Sequence, residues 1–303
     1  MARKRLDDMN LMELMEHYGS DNKCREVLEE LRWPDGVRCP RCQSEKISRI
    51  HDRGQFDCDS CRYQFSVTAG TIFHDSHLPL RKWFVAIYLI CESKKGISSN
   101  QLKRILGVTY KTAWYLTHRI RAAMADGDGP LLRGIVEVDE TFTGGKTIGR
   151  GYGYRGNKAM VVGAAERGGQ IRLRVIKRND KKTLHGFIHA VTDDDTEAIM
   201  TDSWPAYKGI GDANTRHETV NHLEDEWVVG DVHTNSIEGV WALFKRSIVG
   251  SYHHLSVRHL PAYLDELAFR FNNRNNPYLF RDTLMKLLGA ETLPYQELTA
   301  APA

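Results

Sequence analysis

Three acidic residues stand where charge is hard to tolerate. Asp139 closes the apolar run Gly134-Ile-Val-Glu-Val-Asp139, and Asp202 closes Ala198-Ile-Met-Thr-Asp202. Glu238 follows after thirty-five intervening residues, on a stretch of helical periodicity. A carboxylate at the end of a buried strand is costly unless it is paired or liganded. Two strands and a helix would each deliver one such group. A carboxylate cluster of this kind binds hard divalent cations, and two cations can activate a water or hydroxyl against a phosphodiester. Glu137, two residues before Asp139, shares its strand face and competes with it for a metal role, whereas Glu140 points the other way.

The helical stretch His233-Thr-Asn235-Ser-Ile-Glu238-Gly-Val-Trp-Ala-Leu-Phe-Lys245-Arg246 has the apolar stripe Ile237, Trp241, Phe244 and Ile248. Glu238 and Lys245, seven apart, project within about 20° of each other, with Asn235 one turn before Glu238. Such a face offers metals a carboxylate and DNA a cation. Asn235 could add an amide oxygen or touch DNA. His253 and His254 beyond the helix suit a DNA contact or a packed role equally well.

These residues need a scaffold, and the pattern from residue 131 onward supplies one. Leu131–Phe142, Ala159–Ala165 and Gln170–Ile176 read as three antiparallel strands with Gly-Gly turns, and Lys181–Val191 as a helix. Glu197–Thr201 reads as a short buried strand, and Trp204-Pro-Ala-Tyr207 as the opening of another helix. The order β-β-β-α-β-α-β-α predicts a ribonuclease H-like fold, an α/β (α+β) mixed sheet in which the first and fourth strands lie side by side and bring their acidic residues together. Between the first two strands, glycines interleave with Lys146, Arg150, Arg155 and Lys158. That loop is either a flexible basic hairpin or one that tracks a DNA backbone.

Cys39-Pro-Arg-Cys42 and Cys58-Asp-Ser-Cys61 are two Cys-x-x-Cys knuckles separated by fifteen residues. Together they complete the tetrahedral four-sulfur shell of structural zinc, with no open position for catalysis. Free or redox-active thiols are the alternative. Six cysteines in 303 residues are too sparse for a disulfide scaffold, and Cys24 and Cys91 sit in apolar helical contexts as inert core.

From Pro79 to Met124 the periodicity is helical, and Leu106-Gly-Val-Thr109 interrupts it as a helix-turn-helix would, with Thr109 capping a second helix. That helix carries Lys111, Arg119 and Arg121 as candidate DNA contacts, flanked by Lys94, Lys95, Lys103 and Arg104. A three-helix bundle with a solvated basic face gives the same stripes. The formal net charge of +3 is weak evidence for an anionic partner. No stretch approaches the roughly 20 apolar residues of a membrane span, and no apolar core follows the charged start, so a cytoplasmic, nucleoid-associated protein is expected.

The zinc ribbon, Val136-Glu-Val-Asp139-Glu-Thr-Phe-Thr-Gly-Gly, Thr201-Asp202-Ser-Trp-Pro-Ala-Tyr, His233-Thr-Asn235-Ser-Ile-Glu238-Gly-Val-Trp, Lys245-Arg246 and Gly250-Ser-Tyr-His-His-Leu-Ser256 together resemble the bacterial insertion-sequence transposases of the ISXO-like group. The resemblance covers nearly the whole chain. It implies a DDE-type transposase that cuts at the terminal inverted repeats of its element and joins 3′ ends to target DNA with magnesium or manganese. Asp139 and Asp202 would be metal ligands and Lys245 their basic companion. The group uses either Glu or Asn as third residue; spacing from Asp202 and alignment with Lys245 favour Glu238, with Asn235 accessory. Arg246 would join Lys111, Arg119, Arg121, Lys146, Arg150 and Arg155 on double-stranded DNA. A homo-oligomer on DNA is expected because two ends must be processed together. The expected divisions are a helix plus zinc ribbon (1–75), a helix-turn-helix segment (76–128), the catalytic domain (129–292) and a disordered tail (293–303). A DNA-binding protein without catalysis and a structure-selective nuclease on the same fold are the competing expectations.

Overall fold

The computed structural model describes residues 9–125, 129–144, 158–220 and 233–300. The chain forms two compact units, one of residues 1–125 with 275–303 and the other of residues 126–274.

The first unit opens with α1 (Leu11–His17) and α2 (Asp21–Arg32), each with a side-chain N-cap, from Asn10 and Ser20. A three-stranded antiparallel ribbon follows, β1 (Ile47–Ile50), β2 (Gln55–Cys58) and β3 (Gln64–Phe65). Its small core is aromatic: Trp33 meets Phe56 and Phe65 edge-on, and the two phenyl rings stack. Then come α3 (Leu80–Glu92), α4 (Ser99–Leu106) and α5 (Tyr110–Met124). Gly107 ends α4 with φ 59°, and Thr109 Oγ1 accepts the Thr112 N–H to start α5, so two residues of local chemistry build the turn between the helices.

The second unit is a five-stranded mixed sheet, β4 (Leu132–Thr143), β5 (Ala159–Glu166), β6 (Ile171–Ile176), β7 (Thr192–Asp202) and β8 (Arg216–Val220), in the order β6-β5-β4-β7-β8. β4 pairs antiparallel with β5 and parallel with β7, and β7 runs parallel to β8. This is the ribonuclease H-like arrangement. Alternation sorts β4 between two cores. Val136 and Val138 face α6 (Lys181–Val191), which contributes Leu184, Phe187 and Ile188. The opposite face, with Val161 and Ala165 of β5, is covered by α7 (Asn235–Ser247) and α8 (Leu260–Asn272), through Ile237, Val240, Trp241, Phe244 and Leu264.

Several expectations need adjustment. The segment at Trp204 is a single 3-10 turn, Pro205–Tyr207, rather than the start of a long helix. The strand ending at Asp202 begins at Thr192, because it pairs along β4 as far back as Leu132. α9 (Leu279–Gly289) and α10 (Tyr295–Thr299) belong to the first unit, where Phe280 packs on Tyr18, Phe84 and Tyr88. Residues 293–300, expected to be disordered, are held there: the Leu293 carbonyl accepts the Tyr115 hydroxyl, and Tyr295 meets Tyr115 edge-on, while 301–303 lie outside the described residues.

One packing contact fixes the sheet-to-helix distance beside the acidic residues. Gly163 of β5 is the register partner of Asp139, and a Cβ built there would lie 2.6 Å from Cη2 of Trp241. We expect Gly163→Ala to destabilise the fold by about 1–3 kcal/mol through overpacking. An unchanged urea midpoint for the full chain would show that the indole is not tightly seated.

Candidate active site and metal centre

Parallel register brings the two aspartates together. Glu137 pairs with Met200, the last registered pair of β4 and β7, so Asp139 and Asp202 each lie two residues further on, on the same face. That face looks at α7, whose first turn carries Glu238. Trp241 Nε1 donates to Asp139 Oδ2 at 2.9 Å, the Trp204 N–H donates to Asp202 Oδ1 at 3.0 Å, and Thr234 Oγ1 donates to Glu238 Oε1 at 3.1 Å. Burial pushes the Asp139 carboxyl up to about 6, and the charges of Asp202 and Glu238 add to that, against the Glu140 amide and the Trp241 indole. Asp139 is thus electrostatically coupled to both other carboxylates.

Glu137, the competitor, is spent on the protein itself. Its carboxylate is fully buried. It accepts from Arg167 Nε at 2.7 Å, the Ser236 N–H at 2.6 Å, Ser236 Oγ at 3.0 Å and the Ile237 N–H at 3.1 Å, with His233 Nδ1 at 3.2 Å. Glu140 faces α6, where it accepts the Tyr207 hydroxyl. Asn235 is the exposed first residue of α7, and Lys245 and Arg246 are exposed in its last turn. His253 and His254 are exposed beyond it.

Two of the expected DNA contacts are inside the first unit. Arg119 is 4% exposed; its guanidinium donates to the His74 carbonyl at 2.6 Å and lies over the Trp83 and Tyr115 rings. Arg121 is 0% exposed. The cause is that the second half of α5 is buried at every position but Ala122, with α9 packed against the helix, so its cations there are interior and unavailable to a groove. Lys111 is exposed on the first turn, beside Tyr295. Lys146, Arg150 and Arg155 lie outside the described residues.

The four cysteines form a separate centre. Their sulfurs lie within 4.8 Å of one another, with Cys39–Cys61 at 3.7 Å and Cys42–Cys58 at 3.5 Å. A tetrahedral ion with metal–sulfur bonds of about 2.3 Å requires edges near ~3.8 Å, so the thiols fit zinc. The knuckles are built alike. The Cys39 and Cys58 amides donate to the Ser44 and Tyr63 carbonyls, and Gln43 and Arg62 occupy the same left-handed position, φ 61° and 56°. Among the described residues this is the one group of three or more His, Cys, Asp or Glu ligand atoms so tightly drawn.

A ribonuclease H-like domain with acidic residues on its central parallel strands and on the helix across them defines a polynucleotidyl-transferase type of scaffold. Comparison with known proteins places the chain within that type. The ISXO2-like transposase domain matches residues 131–272, and the transposase zinc-ribbon domain matches residues 19–64. A protein described as uncharacterized in transposable element ISH50 of Halobacterium salinarum is 31% identical over 248 residues, 75% of this chain and 83% of that protein. The chain belongs to the ISXO2-like transposase family. Among solved structures, the Mos1 strand transfer complex aligns at 12% identity and TM-score 0.30, over 68% of this chain and 75% of that one. A simian T-cell lymphotropic virus intasome aligns at 15% identity and TM-score 0.32, over 59% and 66%. None of the described helices is long and apolar enough to cross a membrane.

What the sequence did not reveal are Glu137 as a hub, Arg167 and His233 as its partners, and Trp241 as the donor to Asp139. Trp241 read only as part of an apolar stripe, and its spacing carried no sign of the indole N–H.

Two outcomes follow. The folded Asp139 carboxyl holds its proton more tightly than in the unfolded chain, where its value is 3.8. The residue therefore costs nothing below pH ~4, costs more as pH rises from ~4 to ~6, and imposes its full penalty above that. The shift corresponds to about 3 kcal/mol unscreened, and on the order of 1–2 for a side chain that still touches solvent. In EDTA, Asp139→Asn should raise the urea midpoint of the catalytic unit at pH 7.5 and leave it unchanged near pH 4; equal midpoints at pH 7.5 would contradict the burial argument. In the first unit, purified protein should carry one zinc by metal analysis, and Cys58→Ser should lose it, since a three-sulfur remnant no longer closes the shell.

Proposed function

We propose that this chain catalyses DNA transposition, cutting at the terminal inverted repeats of its element and joining the freed 3′ ends to target DNA. The observation that carries the reading is the convergence of Asp139, Asp202 and Glu238 on one sheet face, with Asp139 coupled to both of the others. Magnesium or manganese bound there would supply the Lewis acidity that activates a water and neutralises a leaving 3′ oxygen. Asp139, Asp202 and Glu238 would hold the cations, with Asp139 held in place by the Trp241 indole. Asp202 would be steadied by the Trp204 amide, and Glu238 by the Thr234 hydroxyl. Lys245 and Arg246, exposed on the same helix, would bind DNA phosphates. The 3′ hydroxyl released by cleavage is itself the next nucleophile, so no Ser or Tyr needs to form a covalent bond.

In the first unit, the zinc ribbon and the α4–turn–α5 pair would engage double-stranded DNA through the exposed Lys103, Arg104 and Lys111. Two ends must be brought together, which calls for more than one copy of the chain.

Glu238 is favoured over Asn235 as third residue because it is a part-buried carboxylate, whereas Asn235 is the exposed first residue of α7. The test is cleavage and strand transfer on DNA bearing the element's ends, with Mg²⁺ added back to zinc-loaded protein. Asp139→Asn, Asp202→Asn and Glu238→Gln should each lose both products, and Asn235→Ala should keep them. Loss with Asn235→Ala and retention with Glu238→Gln would exchange the two roles. Binding of the ends without cleavage by the wild type would leave a DNA-binding protein, and cleavage indifferent to end sequence would leave a nuclease.

A further inference from the structure

The helix that carries Glu238 begins without a cap of its own. Thr234, Asn235 and Ser236 are all residue types that cap helices, yet the Thr234 side chain makes no capping bond to the backbone of α7. Its hydroxyl donates to Glu238 instead. The N–H groups of Ser236 and Ile237, which a cap would satisfy, donate to Glu137, a residue about a hundred positions earlier on β4. The Glu137 carboxylate is held from behind by Arg167, whose other nitrogen donates to the His233 carbonyl at 2.9 Å, just before the helix. A buried anion on the central strand therefore receives the positive end of α7, on the strand face it shares with Asp139.

We propose that Glu137 is a positioning residue that sets the distance between Glu238 and Asp139 by docking the start of α7 onto β4. The inference rests on the reading of Asp139, Asp202 and Glu238 as the metal-binding site. Its reach is short: Glu137 is two residues from Asp139 along the strand, and its acceptor contacts are one and two residues from Glu238 along the helix. A carboxamide in its place would keep the volume but leave one acceptor oxygen where there were two, so its NH2 would face either the Arg167 guanidinium or the helix amides, donor against donor, and the dock would be weakened. The start of α7 would then be released while the apolar packing of Ile237, Val240 and Phe244 remains.

The experiment compares full-length, zinc-loaded wild type with Glu137→Gln and with the milder Ser236→Ala, which removes one hydroxyl donor and keeps the carboxylate. Amide hydrogen exchange of the segment 233–241 is read together with the Mn²⁺ concentration that half-saturates DNA cleavage; Asp139→Asn is the control. Expected are faster exchange confined to that segment and a half-saturating Mn²⁺ concentration raised roughly 10- to 100-fold for Glu137→Gln, with a smaller shift for Ser236→Ala. Unchanged exchange in both variants would overturn the docking. Faster exchange with an unaltered Mn²⁺ dependence would overturn the positioning role and leave the active-site reading standing. Full activity of Asp139→Asn would bring down that reading, and the inference with it.

Discussion

The second unit depends on two carboxylates, one buried and one part-buried, two residues apart on one face of one strand, that meet opposite surroundings. Strand alternation makes Glu137 and Asp139 point the same way, so their difference comes from their partners, Arg167 beside Glu137 and what α7 lays over each of them. Over Glu137 it lays its amino terminus, with peptide N–H groups that suit an anion. Over Asp139 it lays an indole, which donates once and otherwise excludes water. The first carboxylate is satisfied from within the protein. The second is left with one side-chain donor, two neighbouring carboxylates and a raised proton affinity. That imbalance has the sign a cation would relieve.

Packing turns this electrostatic division into a distance. The indole can reach Asp139 only because β5 has no side chain at the register partner, Gly163, and the ring fills that space. The helix is thus fixed at two points, its first turn by hydrogen bonds to Glu137 and its second by the ring on Gly163. Glu238 lies between them. A carboxylate on a helix anchored at both sides has little freedom to swing, which is what a site needs if its ligands are to be placed before the ion arrives.

Elements whose signals are local were legible. Gly107 and Thr109 between α4 and α5 and the two Cys-x-x-Cys knuckles each act within a few residues, and each was readable from spacing alone. The strands and the fold class followed from period-two patterns. What escaped the sequence depends on partners far away in the chain. Arg119 and Arg121 read as groove contacts because a basic helix looks the same whether or not segments distant in the chain cover it; Arg119 is taken up by the His74 carbonyl and the Trp83 ring. The ordering of Tyr295 against Tyr115 is of the same kind. Glu137 and Asp139 could be placed on one face, but which of them would be satisfied was decided by the amino terminus of a helix a hundred residues on.

The four-cysteine centre and the proposed carboxylate centre differ for reasons that begin with ligand chemistry. Soft sulfur ligands drawn within one coordination shell hold zinc with every position filled, so the ion can only stabilise the ribbon. Hard carboxylate oxygens suit magnesium or manganese, which would keep coordination positions for water and phosphate. A chelator strong enough to strip the second centre also threatens the first, so loss of activity in EDTA alone does not say which ion was needed. The distinction has to come from the ligands. Removing a sulfur should be read in the folding of the first unit, and removing an oxygen in the chemistry of the second, where Asp139→Asn is expected to stabilise the fold. A substitution that strengthens the protein while abolishing its reaction marks a residue kept for chemistry against its own structural cost.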